Sequence, residues 1–328
     1  MRKLLKEVAI NIQSIKINFI VLVMFTIALI TSQFHSFSLW PQVTELRGSS
    51  INYIDILSQA HFLRYLLVLP IFKISDLLSA DADFVFKIVC FFNLILITIN
   101  CSNILKFYRT KNQILVNILF SFFFIFLSAF MNGRIIFSFL GFSYFLLAIH
   151  QWELYKISNL VLLFKILIGL FLSSVSTGTF LSTTIVLCAW LVLYQGKPKG
   201  FLSLYIFITL LLISPILTLY LLKNVNYYGG GFSGFINMLD HGIGVIFLSV
   251  TLDILILMLM IIFMLGVIFL PIYLKSGKYK LLILVTISTL FAGLFGFSTL
   301  TLSIVPMTVL ILLFLLNQLT SIFPLKNA

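Results

Sequence analysis

Long unbroken apolar runs, parted by short polar turns, recur along the whole chain. Runs of seventeen or more apolar residues are long enough to cross a hydrocarbon core of roughly 30 Å as a helix. They are continuous and do not alternate, which excludes a β-barrel. The pattern predicts helices over 17–33, 84–105, 114–130, 135–150, 158–173, 180–194, 201–222, 247–273, 281–297 and 302–323. The expected fold is an all-α polytopic integral membrane protein of about ten transmembrane helices, with residues 1–328 forming a single transmembrane domain.

Charge placement orients this arrangement. The basic clusters "KFYRTKN" (106–112), "QGKPKG" (195–200) and "KSGKYK" (275–280) fall on one side, together with the N-terminus and Lys156. By the positive-inside rule that side is the cytoplasm, so both termini are expected there. The segment "HFLRYLLVLPIFKISDLL" (61–78) is apolar, yet it carries Arg64, Lys73, Asp76 and a proline. If it spanned, all three basic loops would face outward. It is therefore read as an interfacial or re-entrant helix on the outer face, within a first outer loop over 34–83. A second outer loop is expected over 223–246.

Composition agrees. The chain is 61% hydrophobic and 9% charged, with mean hydropathy +1.19, more apolar surface than a water-soluble domain of 328 residues can hide. The net charge of +12 reflects cytoplasmic loops facing anionic lipid and not a nucleic-acid partner. "MRKLLKEVAINIQSIK" leads into an apolar stretch with no small-residue cleavage site after it, which predicts an uncleaved first span. Cys90, Cys101 and Cys188 are odd in number, lack metal-ligand spacing and read as packing residues. The richness in Phe, Ile, Leu and Asn points to a bacterial gene.

The outer face holds most of the acids and a few isolated bases: Glu45, Arg47, Asp55, His61, Arg64, Lys73, Asp76, Asp81, Asp83, Arg134, Lys223, Asp240 and His241. Outward-facing basic residues oppose the topogenic bias, so Arg47, Arg64, His61 and above all Arg134 are candidate ligand-binding groups. Arg134 follows a tight "MNG" turn and shares a helix face with Ser138, Gly141 and Ala148. A guanidinium at that depth offers a bidentate fork for phosphate; the plainer alternative is an arginine snorkelling to headgroups. Asp253, inside an apolar run, is a candidate catalytic group or a tie between helices. In "KNVNYYGGGFSGFINMLDHGIG", Tyr227 and Tyr228 suit stacking on sugars or an interfacial position. Asp240 and His241 are candidate bases that point in different directions on a helix. "SSVSTGTFLSTT" (173–184) reads as a wet turn flanked by helix-packing serines. Asn93 with Asn100, and Asn117 with Ser121, read as interhelical hydrogen-bonding positions. No P-loop, dinucleotide-binding glycine pattern, zinc spacing or serine-hydrolase elbow is present, so neither cofactor nor metal is expected.

The order of features is familiar. A membrane-hugging segment ("YIDILSQAHFLRYLLVLPIFKISDLL") is followed by a span, then an arginine opening another span ("FLSAFMNGRIIFSFLGFSYFLLAI"), then a Ser/Thr-rich turn ("SSVSTGT"). This layout, over residues 50–195, resembles the Wzy and EpsG-like polymerases of bacterial O-antigen and exopolysaccharide. Asp55 is the rough counterpart of the family's acid before the re-entrant segment, and the family's Arg-x10-Gly motif follows none of Arg47, Arg64 and Arg134. The resemblance implies a metal-independent membrane glycosyltransferase of the bacterial inner membrane. It would join undecaprenyl-pyrophosphate-linked oligosaccharides at the periplasmic face, alongside a flippase and a chain-length regulator. Arg134, Arg47, Arg64, His61, Tyr227 and Tyr228 would hold the substrate; Asp240, His241 or Asp253 would act in catalysis. Competing expectations are a transporter or flippase of lipid-linked glycans, another glycosyltransferase using polyprenyl-phosphate sugars, and a non-enzymatic assembly subunit.

Overall fold

The computed structural model describes residues 19–31, 62–108, 113–129, 133–154, 156–194, 200–244, 277, 279–293 and 300–322, which are helical with no strand among them. In chain order the helices are α1 (Phe19–Ile30), α2 (Phe62–Leu77), α3 (Ala82–Phe107), α4 (Gln113–Ser128), α5 (Gly133–Glu153), α6 (Asn159–Ser173), α7 (Thr177–Leu193), α8 (Gly200–Tyr227), α9 (Gly231–Gly244) and α10 (Lys280–Ala292). A 3₁₀ turn (Thr301–Ser303) then leads into α11 (Ile304–Ile322). Among the described residues, α3 and α5 are long and apolar enough to cross a membrane. The expected span over 247–273 lies outside the described residues.

Local chemistry sets several boundaries. Asp81 caps α3 by accepting the Phe84 N–H at 3.0 Å, and Asp83 adds negative charge at the positive end of the helix dipole. Ser158 caps α6 in the same way through the Val161 N–H. The core is built around α5, buried along most of its length, and around α10, buried on every side from Leu281 to Leu290. Helices α5 and α6 cross at Gly141 and Gly169, where a Cβ on Gly141 would stand 2.6 Å from the Gly169 carbonyl oxygen. Small residues at such a crossing let backbones approach and gain dispersion contact.

Contacts between helices fix their directions. Phe86 stacks on Phe137 with ring centroids 5.9 Å apart, and Tyr108 meets His150 at 2.8 Å, so α3 and α5 run parallel. Helix α6 returns antiparallel, with Lys165 donating to Gln151 at 2.8 Å. Helix α7 runs forward again, bringing the Trp190 indole N–H to Glu153 at 2.9 Å. The bundle thus has two chemically distinct ends. At the tyrosine end Tyr108 packs 5.4 Å from Tyr279, Lys156 sits 4.6 Å over the Phe107 ring, and Trp152 meets Trp190 edge-on. Burial, reinforced by the phenols of Tyr194 and Tyr279, raises the Tyr108 pKa above the usual tyrosine range. The flanks of the three basic clusters therefore share one end, as charge placement predicts. At the opposite, serine end lies the turn between α6 and α7.

Helix α2 has both of its ends at the serine end. Its first turn is tied to the α6–α7 turn by Arg64, and its last residue is four positions from Asp81, where α3 begins. Sixteen residues make a helix about 24 Å long. Such a helix lies across the end of the bundle and does not run its length.

Of the expected second outer loop over 223–246, the described residues 223–244 form a helical hairpin. Helix α8 continues to Tyr227, and α9 starts at Gly231. Gly229, Gly230 and Gly231 have φ of 113°, 74° and 56°, a left-handed run that side-chain-bearing residues rarely adopt.

Candidate functional site

The hub of the serine end is the turn Ser174–Val175–Ser176, together with the hydroxyls that flank it. Ser173, Ser174, Thr179, Ser182 and Thr183 are all buried, so the expectation of a wet turn is corrected. The Ser174, Thr179 and Thr183 hydroxyls bond to local carbonyls and to neighbouring hydroxyls, whereas Ser182 Oγ is buried without a partner among the described residues. Thr179 Oγ1 lies 2.6 Å from the Ser173 carbonyl, 2.9 Å from that of Ser176, and 2.9 Å from Ser138 Oγ on α5. A hydroxyl has one proton, which Thr179 shares between these carbonyls, so Thr179 Oγ1 accepts from Ser138. Thr183 adds contacts to Ser173 Oγ at 3.1 Å and to the Thr179 carbonyl at 2.9 Å.

Two arginines reach this region from different helices. Arg64, on α2, is 5% exposed, and its Nε donates to the Val175 carbonyl at 2.9 Å across 111 residues of sequence. Charged donors make the stronger class of hydrogen bond. Arg134 is half-buried in the first turn of α5, with its Nε buried, one turn before Ser138. Gly133 sets its depth: a Cβ there would lie 2.4 Å from the Phe86 ring, so only glycine lets the start of α5 seat against α3. Ser138, Gly141 and Ala148, placed on the Arg134 face by sequence spacing, are all buried within the protein.

Helix α8 brings a third cation. Lys223 Nζ lies 5.6 Å from the centroid of Phe62, two residues before Arg64, and Asn224 beside it is fully buried. Tyr227 and Tyr228 meet edge-to-face at 5.1 Å, with Tyr227 more than half exposed.

The serine end thus gathers Arg64, Lys223 and the hydroxyl turn, with Arg134 one helical turn from the Ser138–Thr179 bond. Arg47, His61 and Asp253 lie outside the described residues, and Asp240 and His241 fall within α9. Asn100 bonds across helices to Ser143 at 3.1 Å, as its position predicts, whereas Asn93 Nδ2, Asn117 Oδ1 and Ser121 Oγ are buried without a hydrogen bond among the described residues. Cys90 and Cys101 are buried packing residues, whereas Cys188 is exposed, a correction for that position. Sequence spacing gave no sign of the fully interior pair Tyr108–His150. His150 Nδ1 lies 2.8 Å from the Leu146 carbonyl and must carry the proton, so Nε2 accepts from the Tyr108 hydroxyl. Chemically, the serine end brings guanidinium and ammonium donors together, a set suited to an anionic ligand rich in oxygen. Comparison with known protein families, curated proteins and solved structures found no match.

Proposed function

We propose that the chain is a polysaccharide polymerase of the bacterial inner membrane, with about ten spans, both termini in the cytoplasm and the serine end facing the periplasm. It would join oligosaccharide repeat units carried on undecaprenyl pyrophosphate. The acceptor sugar hydroxyl attacks the donor's anomeric carbon, the glycosidic bond forms, the bond to the lipid diphosphate breaks, and the hydroxyl proton passes to a base. Arg134 is the fork for the departing diphosphate. Asp240 or His241, carried on α9 at the same end, is the candidate base.

The observation that carries this reading is the convergence on one turn of Arg64 from α2 and the Ser138 stripe of α5, which begins at Arg134. It lies at the end of the bundle away from the lysine-flanked tyrosine cluster, which the positive-inside rule assigns to the cytoplasm. The transverse course of α2 supports an interfacial helix at that outer end.

A transport reading has one observation in its favour. Polar pairs recur along α5, from Ser138–Thr179 through Ser143–Asn100 to His150–Tyr108, and so reach from one end of the bundle to the other. Deleting the gene separates the two. A polymerase mutant caps its lipid acceptor with a single repeat unit; a transporter mutant adds no repeat and retains lipid-linked units inside.

A further inference from the structure

Among the described residues, helix α9 packs chiefly on α8. Gly234 presses on the Val225 carbonyl, 2.5 Å from where a Cβ would stand, and Asn237 donates to the Tyr228 carbonyl at 3.1 Å. Away from Gly234 the described part of the helix is open: Phe232 is 80% exposed, with Phe235 and Ile236 exposed beside it. Fourteen residues including four glycines make a poor helix in water, where isolated helices of this length are marginal even with good helix formers. Something must cover its apolar face.

The adjoining surface of α8 points to the cover. Through Tyr227, the exposed face of α9 joins an apolar row that runs the length of α8: Leu204, Phe207, Leu211, Leu219 and Leu222. That row is the surface a spanning helix turns to lipid. Where it ends, the chain supplies two tyrosines, the aromatic residues of membrane–water boundaries, and then bends through three left-handed glycines. We infer that α9 is an in-plane interfacial helix whose Phe232, Phe235 and Ile236 insert into the outer leaflet at the headgroup–acyl boundary. The inference rests on the membrane reading above and gives the proposed catalytic end a lipid-seated flank. Asp240 and His241 are then held near the surface where a polyprenyl-linked substrate resides.

Single-cysteine variants test this in a Cys188→Ser background, since the remaining cysteines are buried. Phe232→Cys, Phe235→Cys and Ser233→Cys on α9, with Phe207→Cys on α8, are labelled with an environment-sensitive fluorophore. The protein is reconstituted in phosphatidylcholine–phosphatidylglycerol vesicles with shallow spin-labelled lipid. Expected are blue-shifted emission and loss of signal to the spin label at positions 207, 232 and 235, with water-like, unquenched emission at 233. Water-like emission at 232 and 235, with 207 still quenched, overturns the α9 inference alone. Water-like emission at 207 as well overturns the membrane reading and the inference with it. A blue shift at 232 that grows with the protein-to-lipid ratio assigns the face to a second copy and also overturns it.

Discussion

Arg64 and Arg134 differ in what their guanidinium groups do. Arg64 is buried and ties α2 to the Val175 carbonyl, so its first task is positional. Replacing it with Met removes a charge-assisted hydrogen bond of about 1.5–3 kcal/mol, and a lower melting temperature in detergent is expected. Arg134→Lys keeps the charge and loses the planar fork, so it should cost most of the polymer while melting and membrane abundance stay unchanged. A polysaccharide gel beside an immunoblot checks this, and a normal ladder would remove Arg134 from the mechanism. The place of Arg134, at the end of the bundle away from the basic clusters, was legible from charge placement alone. The tie made by Arg64 was not, because its partner is 111 residues away. Nor was the burial of the Ser/Thr turn. Hydroxyls read as polar along a sequence, yet Thr179 bonds to local carbonyls and accepts from Ser138, and burial of the pair then costs little.

At the scale of elements, helix existence followed directly from the apolar runs; the boundaries of α3 and α5 fall within a few residues of those expected. Helix α9 was missed because consecutive glycines signal a loop. Here they form only the bend, and a helix rich in further glycines follows. The transverse path of α2 was legible only through the charges on either side of it, since its composition alone is that of a span. Packing of α5 on α6 was not legible, because single glycines in apolar runs do not announce their partners. Gly141→Leu drives a side chain into the Gly169 backbone and is expected to destabilise the bundle by about 1–3 kcal/mol or more. Gly277→Ala, where nothing lies within 4 Å of the added carbon, should be neutral. Thermal unfolding in detergent compares the two, and equal melting temperatures would contradict the close crossing.

At the scale of the whole molecule, the account depends on two unlike ends facing two unlike compartments. Cysteines placed at Lys111 or Lys199, in a Cys188→Ser background, should react with an impermeant maleimide only after cells are opened. A cysteine at Tyr227 should react in intact cells. The reverse pattern would turn the bundle over and place the arginines in the cytoplasm. Ends this different also explain why the two ends of the bundle were readable from one sequence: sparse charges in an apolar chain sort by side. Which base acts was not readable, since Asp240, His241 and Asp253 all satisfy the sequence criteria.

The most direct measurement is chain growth by the purified protein in proteoliposomes supplied with undecaprenyl-pyrophosphate-linked repeat units and no nucleotide. The account predicts a ladder of glycans with release of one undecaprenyl pyrophosphate per bond formed, and no ladder from Arg134→Lys. Repeat units that cross the bilayer without lengthening, or that stay unchanged with the wild-type protein, would contradict it.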